Sequence, residues 1–349
     1  MNFTLDDIFQ KAAERKASDV HLVDNQPPVF RIDGILVRSN FPVLKSEEII
    51  NLVGPLLTEK QKNQIFEKKE LDTSYELNQI ARLRINLYWE RGNLALAARL
   101  IWPHLPTMEE IEMPPITYEL CKLNQGLIIV TGPAGCGKST TLAAMINYIN
   151  QNRSCNIITL EDPIEFVFSS DQSIVSQREL GKDMLSFQEA LKHVVRQDPN
   201  VIMVGEMRDL ETIALAITLA ETGHLVLATL HTPNTSQTID RIIDIFPPYQ
   251  QTQIRLQLAL SLRAIIAQHL LPRKPSGRIA VREILINTPA IANLIRENKI
   301  AQIKSVLQTS SKEGMISMEQ SLNQLIRRKL ITREVALAHT LYPELIIEE

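Results

Sequence analysis

The chain has 349 residues, enough for two domains that each bury a core without covalent staples. With 44% hydrophobic and 22% charged residues, the composition excludes disorder, collagen and coiled-coil rods. A formal charge of −3 argues against a protein whose main task is holding nucleic acid, because phosphate binding needs Lys and Arg in excess.

Cys121, Cys136 and Cys155 contain no Cys-x-x-Cys pair, so they build neither a disulfide framework nor a four-thiolate zinc site, and they fit a reducing compartment. No run reaches the ~18 continuous apolar residues of a membrane span. The first residues carry Asp6, Asp7 and Glu14 instead of a basic and then apolar leader, so the expected location is the cytoplasm.

Leu5, Ile8, Phe9 and Ala12 recur at helical spacing and predict a helix over 4–16. A strand over 19–23 follows, and strands at 29–32 and 35–37 flank Asp33-Gly34, a dipeptide suited to a tight hairpin. Helices at 46–54 and 58–69 precede strand-like runs at 71–76, 81–88 and 93–101. The expectation for 1–101 is an α+β domain with a mixed sheet flanked by helices. Pro103, Pro106, Pro114 and Pro115 then break any regular element, which makes 102–116 a linker.

From 117 to 349 the pattern alternates. Apolar runs of strand length at 127–131, 156–160, 201–204 and 225–230 are separated by helical periodicities at 138–150, 186–196, 210–221 and 249–263. Buried apolar strands alternating with helices imply an α/β domain whose parallel sheet is covered on both faces. Residues 288–349 read as short helices closing the chain.

Gly132-Pro133-Ala134-Gly135-Cys136-Gly137-Lys138-Ser139, followed by Thr140, matches the phosphate-loop pattern and sits between a strand and a helix, where its mechanism requires it. Backbone N–H groups of such a loop cradle phosphates, Lys138 reaches the β- and γ-phosphates, and Ser139 can ligand Mg²⁺. The loop does not read the base; ATP is the expected nucleotide. A thiol near a helix N-terminus can have a lowered pKa, which would make Cys136 sensitive to oxidation.

A phosphate loop needs a partner at a neighbouring strand end. Val201-Ile202-Met203-Val204-Gly205-Glu206 supplies one, and Glu206 is assigned to Mg²⁺ and to positioning water. Leu160-Glu161-Asp162-Pro163-Ile164-Glu165 gathers carboxylates that would repel a triphosphate unless they serve Mg²⁺ or water, and Glu165 is the candidate general base. Read alone, the cluster also suits a solvated turn. His224 and His231 bracket an apolar strand, an arrangement that disfavours a shared metal ion and leaves sensing of the γ-phosphate as the functional option.

The loop at 132–141, ITLEDPIEF at 158–166, DPNVIMVGEMRD at 198–209 and AETGHLVLATLHT at 220–232 occur in the order of the Walker A, Asp, Walker B and His boxes. The chain thus resembles the type II/type IV secretion ATPase superfamily. ASDVHL at 17–22, ARLRINLYWERG at 81–92, TIDRIIDIFP at 238–247 and TPAIANLIRE at 288–297 make it most similar to the pilus-retraction branch. The branch motif reads AIRNLIRE, and Ala292 stands here in place of its first arginine. The longer N-terminal region and tetracysteine insertion usual in the assembly and export branches are not found in this sequence.

The resemblance implies a RecA-like ATPase domain with a smaller PAS-like N-terminal domain, working as a homohexamer on Mg-ATP. It implies catalysis by Glu165, Glu206, Lys138, His224 and His231, and arginines matching Arg82, Arg84 and Arg99 that close over the nucleotide; a finger of this kind contributes roughly 10³–10⁵ in rate. Arg208 and Arg241 are further candidates. The implied partners are an inner-membrane pilus platform protein and a paralogous retraction ATPase, with peripheral membrane contact and no nucleic acid. An assembly or secretion ATPase, a non-hydrolysing nucleotide-binding regulator and a RecA-like motor on DNA are the alternatives.

Overall fold

Thr4 opens the first helix, Leu5–Glu14, with a reciprocal cap: its hydroxyl accepts the Asp7 N–H at 3.3 Å, and the Asp7 carboxylate accepts the Thr4 N–H at 2.6 Å. The same helix buries Leu5, Ile8, Phe9 and Ala12 on one face, which is the periodicity read from the sequence. The computed structural model describes residues 3–32, 34–77, 80–101 and 104–348. Asp33 of the expected turn, and Trp102 and Pro103 of the expected linker, lie outside them. The chain divides into Met1–His104 with Glu165–Val167, and Leu105–Ile164 with Phe168–Glu349.

In the first unit, strands β1 (Asp19–Leu22), β2 (Val29–Ile32), β3 (Ile35–Arg38), β4 (Glu70–Leu77), β5 (Ala81–Glu90) and β6 (Asn93–Ile101) form one sheet in the order β3-β2-β1-β6-β5-β4. Every pairing among them is antiparallel, which corrects the expected mixed sheet. The connections explain the difference. β1 to β3 and β4 to β6 are joined by short loops, whereas a parallel pair needs a crossover of about a dozen residues or more. The one long connection, through helices Ser46–Val53 and Glu59–Lys68, joins β3 to β4 at opposite edges of the sheet. Alternation on β5 buries Leu83, Ile85 and Leu87 and turns Arg82, Arg84 and Asn86 to the other face.

The second unit carries β7 (Gly126–Thr131), β8 (Asn156–Glu161), β9 (Ile174–Glu179), β10 (Val201–Val204), β11 (Leu225–Leu230), β12 (Leu262–Pro272) and β13 (Arg278–Ile286) in the order β13-β12-β7-β11-β10-β8-β9. All neighbours are parallel except β13, which runs antiparallel to β12. Every residue of β7, β10 and β11 is buried, as strands covered on both faces require. The predicted helix at 249–263 ends at Ser261, and β12 starts at once with no Gly or Pro between them. Strands β9, β12 and β13 add to the four predicted.

Helices Pro289–Arg296, Ile303–Thr309, Met318–Arg327 and Arg333–Leu337 close the chain, as read from its last sixty residues. Leu322 and Leu325 pack with Leu271 of β12 and Val281 of β13 in a small cluster of their own.

Candidate nucleotide and active site

Parallel order brings the C-terminal ends of β7, β10 and β11 to one edge, where open α/β sheets bind their ligands. β7 ends at Thr131 and the glycine loop follows, with Pro133, Ala134 and Gly135 exposed, Gly137, Ser139 and Thr140 half-buried, and helix Lys138–Asn152 opening directly behind. Gly132 has φ +143°, and a Cβ on it would lie 2.2 Å from the Gln268 carbonyl oxygen, so this position tolerates no side chain.

Lys138 is buried, and its ammonium donates to the carbonyls of Gly132 at 2.9 Å and Pro133 at 3.1 Å. Its Nζ also lies 3.3 Å from His231 Nδ1. An ammonium can only donate, so Nδ1 accepts and the imidazole proton sits on Nε2, 3.2 Å from Glu206 Oε1. Arg208 binds the other Glu206 oxygen at 2.8 Å. Burial alone would raise the Glu206 pKa, but Arg208 and then His231 outweigh it and hold the carboxyl below its ordinary range. The hydrogen bond to Glu206 in turn raises Arg208. Lys138, His231, Glu206 and Arg208, from three separate sequence boxes, thus form one chain of contacts.

The Walker B glycine has a packing reason as well. Gly205 donates its N–H to the Leu160 carbonyl at 2.8 Å, and a Cβ there would meet that oxygen at 3.1 Å. Of the acidic segment, Glu161 is buried and occupied by the Thr159 hydroxyl at 2.6 Å and the Gln177 amide at 3.0 Å. Asp162 is exposed and adds to the field on Arg208. Glu165 is half-buried and makes no hydrogen bond or ion pair among the described residues.

His224 stands apart. It precedes β11 while His231 follows it, so six strand residues hold the two roughly 20 Å apart. Its Nδ1 lies 3.0 Å from the Leu219 carbonyl, at the edge opposite the phosphate loop. The structure brings His231 to Lys138 and does not bring His224.

On the N-terminal sheet, Arg82 donates to Ser74 at 3.0 Å, Arg99 pairs with Asp19 at 2.9 Å, and Arg84 lies opposite Arg99 across the β5–β6 pair. All three share the face away from that unit's core. Arg241 is exposed on helix Thr235–Asp244.

Cys136 is buried, and burial pushes its thiol pKa up against the smaller pull of Lys138. This reverses the expected activation at the helix N-terminus. Sequence reasoning also missed Thr131, whose hydroxyl meets the Thr232 carbonyl at 2.8 Å and the Thr232 hydroxyl at 2.7 Å, tying the strand before the loop to the histidine segment. Gln268, which contacts the loop from β12, carried no local motif at all.

Ser139 and Glu206 offer hydroxyl and carboxylate oxygens, the donors Mg²⁺ prefers, and Mg²⁺ needs few protein ligands because it keeps waters and binds phosphates. The donor set fits the ion.

A glycine loop ending in Lys-Ser between a central parallel strand and its helix, with a carboxylate after β10, two strands away, linked to the lysine through His231, defines a P-loop ATPase. Residues 1–337 match the family described as Type II/IV secretion system protein, and the chain belongs to it. It is 44% identical to the type IV pilus retraction ATPase PilT of Pseudomonas aeruginosa, over 95% of this chain and 97% of that one. It is 47% identical to a twitching motility protein of Neisseria gonorrhoeae, over 88% of this chain and 83% of the relative. The crystal structure of the pilus retraction motor PilT with bound ADP superimposes with a TM-score of 0.92 at 44% identity, covering 98% of each chain.

Proposed function

We propose that this chain is the subunit of a motor that withdraws type IV pili, coupling ATP hydrolysis to the return of pilin subunits from the fibre during twitching motility. The observation that carries the reading is similarity to a pilus retraction ATPase along nearly the whole length of both chains, with the phosphate loop, Glu206 and His231 assembled at one sheet edge.

In this reading the backbone N–H groups from Ala134 through Thr140 receive the phosphates, and Lys138 exchanges its loop carbonyls for β- and γ-phosphate oxygens. Ser139 and Glu206 would hold Mg²⁺, which supplies neutralising charge to those oxygens. Glu165 takes a proton from the attacking water as its oxygen bonds to the γ-phosphorus and the bond to the ADP oxygen breaks. His231 senses the γ-phosphate from its place between Lys138 and Glu206. Arg82, Arg84 and Arg99 would close over the nucleotide of a neighbouring subunit in a homohexamer. His224 is left without a role at its own chain's loop.

The proposed setting is the cytoplasmic face of a bacterial inner membrane, with a pilus platform protein as partner and a paralogous retraction ATPase sharing the work. No described helix is long and apolar enough to cross a membrane, so contact there would be peripheral.

The test is a count of surface pili per cell with Lys138→Ala in place of the native chain. Excess pili on non-twitching cells is the expected result. Bald cells would make it an assembly ATPase instead. A Glu165→Gln chain that still supports twitching would make it a regulator that does not need to hydrolyse ATP.

A further inference from the structure

Gln268 is 1% exposed, and both ends of its amide are used on the phosphate loop. Nε2 donates to the Cys136 carbonyl at 2.7 Å, and Oε1 accepts the Thr141 hydroxyl at 2.8 Å. The orientation is fixed by chemistry, since a carbonyl can only accept. The main chain of the same residue abuts the start of the loop, where its carbonyl lies 2.2 Å from the place a Gly132 Cβ would take. Strand β12 is in register for this: Ala267 pairs with Thr131, the residue before the loop. One residue therefore touches the loop at its first glycine, near its end and on the first turn of the helix behind it.

A loop that binds an anion must present N–H groups and keep its carbonyls turned away. Left to itself, a glycine-rich loop samples both peptide orientations, and binding must then supply the ordering. We infer that Gln268 is a positioning residue for the nucleotide phosphates: by holding the Cys136 carbonyl and the Thr141 hydroxyl together, it fixes the loop in its anion-binding form before the nucleotide arrives. The inference requires that the loop bind a nucleoside phosphate, and not that the motor withdraws pili.

The experiment measures ADP affinity by calorimetry and steady-state ATPase kinetics for Gln268→Leu, Gln268→Glu, Thr141→Val and the Gln268→Leu/Thr141→Val double variant, with thermal unfolding alongside. Gln268→Leu leaves a buried carbonyl and hydroxyl unpaired and is expected to weaken ADP about tenfold to hundredfold. KM for ATP should rise in parallel while kcat stays within about threefold, because ordering the loop helps ground and transition state alike. Gln268→Glu keeps an acceptor for Thr141 but turns a carboxylate oxygen on the Cys136 carbonyl, so it should lose affinity as well. The double variant should bind no more weakly than Gln268→Leu alone, since both changes break one bridge.

A lowered unfolding temperature with unchanged ADP affinity would mean that Gln268 is only a core residue. Additive losses in the double variant would mean that there is no bridge. Either result overturns the inference. If Gln268→Leu does not fold, Thr141→Val, which removes only a hydroxyl, decides by whether it moves ADP affinity.

Discussion

The described partners of Lys138 include two loop carbonyls and the imidazole of His231, all neutral acceptors. In the proposed mechanism a phosphate oxygen displaces them, because a negative charge attracts the ammonium more strongly than a neutral carbonyl or imidazole does. Displacement would free His231 Nδ1, and in the proposed role the imidazole bonded to Glu206 would report on the same event. Glu206→Gln keeps the shape of this junction and removes its charge. It is expected to lower kcat about 10²–10⁴-fold while ADP affinity changes less than about threefold, as read by single-turnover hydrolysis and calorimetry. A parallel fall in affinity would make Glu206 a binding group instead. The cysteines give a second prediction at this scale. Burial raises the Cys136 thiol and pushes Cys121 to about 12, whereas Cys155 is half-buried. In the native protein at neutral pH, iodoacetamide should modify Cys155 first, with Cys136 reacting only as the protein unfolds, as followed by mass spectrometry.

At the scale of elements, the helix Leu210–Glu221 shows how a local device fixes a piece of the core. Asp209 caps it, accepting the Thr212 N–H at 2.9 Å and the Thr212 hydroxyl at 2.8 Å, and the helix then buries Ile213, Ala216, Ile217 and Leu219. Burial of Asp209 works to raise its pKa, but the bonds from Thr212 win and hold it below 3.8. A carboxyl depressed in the folded state stabilises fully above its unfolded pKa and loses that contribution as pH falls through the folded one. Asp209→Ala should therefore cost about 1 kcal/mol at pH 7, with the deficit against the native chain shrinking below about pH 3.8, checked by urea unfolding at both ends of that range. The same scale decides what the sequence made legible. The phosphate loop is local, so its residues and its helix could be read directly. Glu206 could be read too, as the end of an apolar strand. That His231 and not His224 meets Lys138 follows from strand order and direction, which no short window contains. Strand β12 runs on from a helix without a breaker, and β9, IVSQRE, is too polar to stand out as a strand. Gln268 was hidden with the strand that carries it.

Each unit of the whole molecule has its own core. Phe9, Phe30, Leu83 and Leu96 belong to the first, and Leu127, Ile158, Val226 and Leu258 to the second. The phosphate loop, Glu206 and His231 all stand on the second, so nucleotide stabilises that core directly. A ligand that binds only the folded form adds about 2.7 kcal/mol at a hundred times its dissociation constant. For a unit of this size, at roughly 2–4 °C per kcal/mol, the transition should rise by roughly 5–10 °C. Scanning calorimetry of the full chain with and without ADP is expected to move the transition of the second unit by that amount and to leave the first in place, with Lys138→Ala abolishing the shift. Because a ring of subunits would itself make the midpoint depend on protein concentration, the comparison is made at one concentration. An equal rise of both transitions would mean that the two cores unfold as one cooperative body, so that nucleotide energy reaches the N-terminal sheet through the fold itself. A rise confined to the second leaves the N-terminal sheet free to answer nucleotide by moving as a body, which is what a motor built from two units needs.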